Sequence, residues 1–113
     1  MDATANKHRC RINVSGIVQG VGFRPFVYRL AHDYGITGFV RNVGGTVQIE
    51  AQSEPENITA FLRALREQAP PLSKIDDVEC ISVPTLSDVR PFEILQSASE
   101  GEAQRSVSKA SGA

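Results

Sequence analysis

Tryptophan is absent from this 113-residue chain, cysteine and histidine occur twice each, and aromatic residues make up 6%. Cys10 and Cys80 are too few for a disulfide scaffold, and with His8 and His32 they form neither a Cys-x-x-Cys nor a His-x-x-x-His spacing for zinc. Both thiols are expected to be buried and reduced. No apolar run approaches the roughly 20 residues of a bilayer span, and residues 1–8 lack the apolar segment of a signal peptide, so a cytoplasmic protein without membrane association is expected. A net charge of -1 with 41% hydrophobic and 22% charged residues fits one small domain.

The near-zero net charge conceals an asymmetry. Residues 9–42 carry Arg9, Arg11, Arg24, Arg29 and Arg41 against Asp33 alone, whereas residues 43–113 hold six basic and eleven acidic groups. A cationic first third of this size suits a small anion better than a nucleic-acid track. Composition also divides the chain. Residues 1–8 read as a flexible N-terminus and 9–96 as the folded domain. In 97–113, Val107 is the single large aliphatic residue among Ser, Ala, Gly and charges, which predicts a disordered tail or linker.

Within 9–96, Cys10, Ile12 and Val14 alternate with Arg11, Asn13 and Ser15, predicting a strand over 9–15 with one buried face. After the glycine-rich stretch 16–22, Pro25 opens a helical stripe of Phe26, Val27, Leu30, Ala31 and Tyr34, predicting a helix over roughly 24–34. Residues 37–42 and 47–52 read as a hairpin whose adjacent Gly44 and Gly45 supply positive φ angles. Ser53 and Glu56 have capping-box spacing ahead of a stripe of Ile58, Phe61, Leu62 and Leu65, and Pro70-Pro71 end that helix. Strands over 74–83 and, short and at an edge, 92–95 follow. The order β-α-β-β-α-β is most economically an α+β, ferredoxin-like sandwich: two split β-α-β units form an antiparallel sheet with both helices on one face. The first and second strands then run parallel with the third between them, so the glycine loop and Asn42 meet at one sheet end.

Glycines at 16, 20 and 22 followed by Phe23-Arg24 let backbone N–H groups converge at a helix N-terminus, a site for a phosphate-sized dianion that a guanidinium at position 24 would grip with two parallel hydrogen bonds. The loop is neither G-x-x-x-x-G-K-[ST] nor a dinucleotide fingerprint. Taken alone, it also fits a tight strand-to-helix turn whose arginine pairs with a surface carboxylate. Asn42 at a strand end is the second element: a carboxamide is no strong base, but it can hold a water in line with bound phosphorus, and positioning supplies most of phosphoryl-transfer catalysis. Its alternative role is that of a residue favouring hairpin entry.

Gly16-Ile-Val-Gln-Gly-Val-Gly-Phe-Arg24, with Gly38-Phe-Val-Arg-Asn42 and the Gly45–Ala51 strand, resembles the acylphosphatase family over about residues 9–96. Arg24-Pro-Phe-Val-Tyr28 and Pro70–Asp77 bring it closest to the acylphosphatase-like domain at the N-terminus of the HypF-type carbamoyltransferases of [NiFe]-hydrogenase maturation. The resemblance implies hydrolysis of the carboxyl-phosphate bond without metal or organic cofactor. The backbone of Ile17, Val18, Gln19, Gly20, Val21 and Gly22 together with Arg24 would bind phosphate, and Arg24 and Asn42 would be catalytic. It further implies carbamoyl phosphate as substrate, carbamate and phosphate as products, and, as partners, downstream HypF-type domains and HypE. The zinc-finger-like, ATP-using and transferase regions of such proteins are not among these residues, so complete carbamoyl transfer is not expected of this segment.

Other features carry less. His32 beside Asp33 has no Ser or Cys nucleophile placed with it and reads as a solvated helix residue. Asp76-Asp77 read as a solvated face, and the Asn57-Ile-Thr59 sequon as unused within a helix. Phe23, Phe26, Phe39 and Phe61 are assigned to the core. The Val47–Ala51 strand lacks the exposed aromatics of an RNA-binding sheet, so no nucleic acid is expected. Two further functions remain open to the sequence: a non-catalytic phosphate or carbamoyl-phosphate binding module of a larger protein, and a purely structural ferredoxin-like domain.

Overall fold

The structure, a computed structural model, describes residues 7–96; the expectations for residues 1–6 and 97–113 lie outside it. Alternation of apolar and polar residues carries β1 over His8–Ile17, starting inside the segment expected to be a flexible terminus and running two residues past the expected strand end. Helix α1 spans Phe23–Asp33, β2 Thr37–Val43, β3 Thr46–Ser53, α2 Pro55–Glu67, β4 Lys74–Val83 and β5 Glu93–Ile94. The sheet order is β4-β1-β3-β2-β5. β3 pairs antiparallel with both β1 and β2, which makes those two parallel to each other, as expected. β5 departs from the expected all-antiparallel sheet: it pairs parallel with β2, because the chain leaving β4 at one edge crosses the sheet before joining the other.

One face of the sheet supplies Cys10, Ile12, Val14, Val40, Val47, Ile49 and Ala51 to a single core with the buried stripes of α1 and α2. Phe23, Phe26 and Phe61 lie in that core, but Phe39 does not. The two-residue period that buries Val40 turns Phe39 to the opposite face, where the Arg41 guanidinium carbon sits 5.6 Å from its ring centroid. Cys10 is fully buried, whereas Cys80 on the edge strand β4 is exposed, contrary to expectation. The capping box does not form either. Glu54 is the N-cap of α2 and makes no side-chain cap, while the Ser53 hydroxyl donates to the Gly35 carbonyl at 3.0 Å and accepts from Asn57 Nδ2 at 3.1 Å. In the β2–β3 turn only Gly44, at φ 58°, has a positive φ, the pattern of a hairpin with glycine at its first central position.

The face away from the helices is held by charge. Arg9, 5% exposed, donates from Nε and Nη2 to Glu50 Oε1 at 3.1 and 2.8 Å, and Arg11 Nε donates to Glu50 Oε2 at 3.0 Å. Arg9 Nη1 also reaches Gln52 Oε1 at 3.3 Å. Gln52 behaves as a strand partner for the crossing segment: its Oε1 accepts from Leu86 N at 2.9 Å and its Nε2 donates to Leu86 O at 2.8 Å. Two of the five arginines in the cationic first third are therefore held by Glu50, a residue of the acidic remainder whose single charge offsets one of them. The charge excess read along the chain is not delivered whole to one site, because strand pairing joins the two segments.

Glu50→Ala leaves the Arg9 guanidinium buried without its carboxylate and is expected to lower stability by about 3–5 kcal/mol, measured by urea unfolding. Burial, and next the neighbouring Cys80 thiol, push the Cys10 thiol up from 9.0 to about 12. An acid whose folded-state pKa is raised stabilises the fold fully below its unfolded pKa and loses that contribution as pH climbs toward the folded value. Urea midpoints at about pH 8 and about pH 10 should therefore fall further for the parent than for Cys10→Ala.

Candidate functional site

The site begins where β1 ends. Its register against β4 shifts between Ser15 and Gly16, and Gly16, at φ 128°, brings its backbone so close to β4 that a Cβ would lie 2.1 Å from the Lys74 carbonyl oxygen. Gly16 thus lies in β1 opposite a bulge on β4, where Asp76 has no partner in the register, and it permits strand pairing there; it is not a member of the loop as the sequence suggested. Ile17 is likewise in β1, paired with Lys74, and its side chain is exposed. Of the six residues expected to offer backbone donors, Val18, Gln19, Gly20, Val21 and Gly22 form the connection itself. Val18 anchors it, 1% exposed in the core, while Gln19 and Gly20 face solvent.

The connection ends in an open helix terminus. Gly22 is the N-cap of α1 at φ 79° and ψ 20°, a left-handed conformation that makes no side-chain cap. The first helical bond runs from Phe26 N to Gly22 O at 3.2 Å, and Pro25 has no N–H. The first turn of α1 holds no acidic residue. The early N–H groups of the helix thus face no carboxylate of their own turn, and an anion at that end meets amide donors and the positive end of the helix dipole. Arg24, half-buried, belongs to this first turn.

Asn42 sits near the end of β2, on the face that also carries Val40 and opposite Val47 in the register. Its Oδ1 is buried and has no hydrogen-bond partner among the described residues. Left without any partner, a buried acceptor costs about 1–3 kcal/mol, so this oxygen calls for a donor such as a water molecule. A carbonyl oxygen so placed can accept a hydrogen bond from a water and fix the direction of its lone pair. The loop and the β2–β3 turn are joined directly: Gln19 Nε2 donates to Gly44 O at 2.9 Å and to Thr46 O at 3.1 Å, and the Thr46 hydroxyl closes the turn onto Val43 O at 3.0 Å. The sequence named Gln19 for its backbone alone and passed over Thr46. Thr46 beside the Gly-Gly turn, three residues from its hydroxyl's partner Val43, was an available signal, whereas the carbonyls that Gln19 reaches lie more than 20 residues away along the chain.

A helix N-terminus with no acidic residue in its first turn and a carboxamide oxygen without a partner among the described residues stand at one end of a split β-α-β sandwich, a small α+β domain of the ferredoxin-like kind. The sequence profile of the acylphosphatase family matches residues 10–94, and the chain belongs to that family of hydrolases. It is 47% identical over 89 residues to the carbamoyltransferase HypF2 of Cupriavidus necator, which covers 79% of this chain and 11% of that protein. It is 42% identical over 88 residues to an acylphosphatase of Clostridium acetobutylicum, covering 77% of this chain and 96% of that one. Among solved structures, full-length HypF superposes with a TM-score of 0.79 at 39% identity, over 84% of this chain and 12% of the other. The acylphosphatase of Bacillus subtilis superposes with a TM-score of 0.73 at 34% identity, over 78% and 98%. The chain therefore spans about a tenth of its carbamoyltransferase relatives and nearly the whole of its acylphosphatase relatives. No helix among the described residues is long and apolar enough to cross a membrane.

A Cβ on Gly22 would meet nothing within 4 Å, so only its left-handed φ opposes a side chain there. Gly22→Ala is expected to cost about 1–2 kcal/mol of stability through that conformation and to weaken inorganic phosphate binding measured by calorimetry. Gly45→Ala, with no positive φ and nothing within 4 Å, is the matched control and should leave stability unchanged.

Proposed function

We propose that this domain hydrolyses carboxyl-phosphate anhydrides by direct attack of water on phosphorus, and that carbamoyl phosphate is its substrate within a HypF-type polypeptide. The observation that carries the mechanism is the buried Asn42 Oδ1, which has no partner among the described residues and stands in the strand leading to the turn that Gln19 ties to the loop. In this mechanism the amides of residues 18–22 and the start of α1 hold the phosphoryl oxygens, and the Arg24 guanidinium neutralises the charge that grows on them. Asn42 accepts a hydrogen bond from the attacking water and aims it opposite the leaving carboxylate. The bond from phosphorus to the bridging oxygen breaks, water supplies the new oxygen, and a proton leaves to solvent. A carboxylate is a good leaving group, so alignment and charge stabilisation suffice without a strong general base.

With carbamoyl phosphate the products are phosphate and carbamate, and in the longer relatives carbamate would be the species handed to ATP-dependent activation and then to HypE. The identity to HypF2 over a tenth of that protein supports this placement; the match to acylphosphatases over nearly their whole length supports turnover by the domain alone. The same relation to a much longer protein also favours a second reading, a binding module that retains carbamoyl phosphate for neighbouring domains.

Initial rates with acetyl phosphate and carbamoyl phosphate, set beside a phosphate monoester, test the proposal. Both acyl phosphates should be cleaved and the monoester spared. Arg24→Ala and Asn42→Ala should each lower kcat/KM on the order of 10²–10³-fold with the fold intact by circular dichroism. Calorimetric binding of phosphate without turnover by the parent chain would replace hydrolysis with the binding module.

A further inference from the structure

Asn42 and the phosphate loop come from strands that do not touch. β3 lies between β1 and β2, so the two strand ends are roughly 9–10 Å apart across the sheet. In-line attack tolerates little error in that span, since a displacement of about 1 Å can cost on the order of 10²-fold in rate. The β2–β3 turn that follows Asn42 contains two glycines and is partly open to solvent, a combination that by itself gives the end of β2 little rigidity. Gln19 compensates. Its carboxamide leaves the loop and grips the turn at two carbonyls, Gly44 O and Thr46 O, at 2.9 and 3.1 Å. These carbonyls straddle Gly45, so both arms of the turn are held by one nitrogen.

We infer that Gln19 is a positioning residue, a side-chain clamp that sets the distance between the phosphoryl-binding loop and the water-directing Asn42. This rests on the hydrolytic reading of the site. Gln19 is exposed, and both its acceptors are turn carbonyls that water would otherwise satisfy, so the clamp adds little to global stability. Its effect is geometric. The amides and Arg24 that hold phosphate are all in the segment Val18–Arg24 and keep their mutual arrangement when the clamp opens, whereas Asn42 moves relative to them. Loss of the clamp should therefore lower kcat and spare affinity for phosphate.

Gln19→Met matches the side chain in length and carries no donor and no charge, and Gln19→Ala is its truncated counterpart. In the 113-residue chain, each is expected to lower kcat for acetyl phosphate by about 10- to 100-fold, with the inhibition constant of inorganic phosphate within about twofold of the parent. Parental kcat in both variants, or a loss of phosphate affinity that accounts for the whole effect, overturns the inference while leaving hydrolysis itself standing. A parent chain without turnover removes the hydrolytic reading instead, and the clamp is then judged by backbone amide order parameters at residues 43–46. These should fall in Gln19→Met with phosphate bound; unchanged values overturn the clamp.

Discussion

Everything at the site depends on β3 being paired antiparallel on both sides. That arrangement obliges β1 and β2 to run the same way and brings the loop after one and the asparagine near the end of the other to one end of the sheet. The connections obey the same constraint. Right-handed crossovers put α1 and α2 on one face, where their apolar stripes meet the inward residues of the central strands in a single core. Val18 and Phe23, both 1% exposed, belong to that core and bracket the loop, so a glycine-containing connection is pinned at each end by burial. The site is soft only between two rigid supports.

Electrostatics is divided between the two faces of the sheet. On the face without helices, the Glu50 carboxylate is shared by Arg9 and Arg11, and Gln52 binds the segment that crosses to β5. Those arginines consolidate the sheet and its extra edge strand and take no part at the loop. On the other side, the first turn of α1 has neither a carboxylate nor a side-chain cap, and it carries Arg24. A stability-minded sequence would place Ser, Asp or Glu at such a terminus. The missing cap and the Asn42 Oδ1, without a partner among the described residues, are two local departures from good folding practice within one small region.

Much of this was legible in the chain. Period-two alternation located the strands to within a few residues, helical stripes located both helices, and the glycine loop, Arg24 and Asn42 could be named from residue type and spacing. The errors share a cause. Phe39 was assigned to the core because it is aromatic, but strand parity sends it to the open face. Ser53 was assigned to a cap because of its spacing to Glu56, but its hydroxyl found a better acceptor at Gly35, which tertiary packing brings close. Gly16 was assigned to the loop because it is glycine; its task is to let β4 approach. Arg9 and Arg11 count toward an anion site by their nearness in sequence, but a carboxylate about 40 residues away pairs with both and holds them on the other face of the sheet.

What the sequence by itself determined is what residue type and local period encode: the element order, the buried stripes, the left-handed glycines before α1 and the chemical identity of the candidate groups. These follow from backbone sterics and from the burial of one face per element, which act over a few residues. Only the tertiary structure decided which polar groups meet. The bridging of Glu50 by two arginines, the reach of Gln19 across β3 to the turn, the lone Asn42 oxygen and the parallel docking of β5 are all contacts between distant segments. Side-chain hydrogen bonds depend on distance and angle rather than on residue type, and those become defined only when the sheet register has been set.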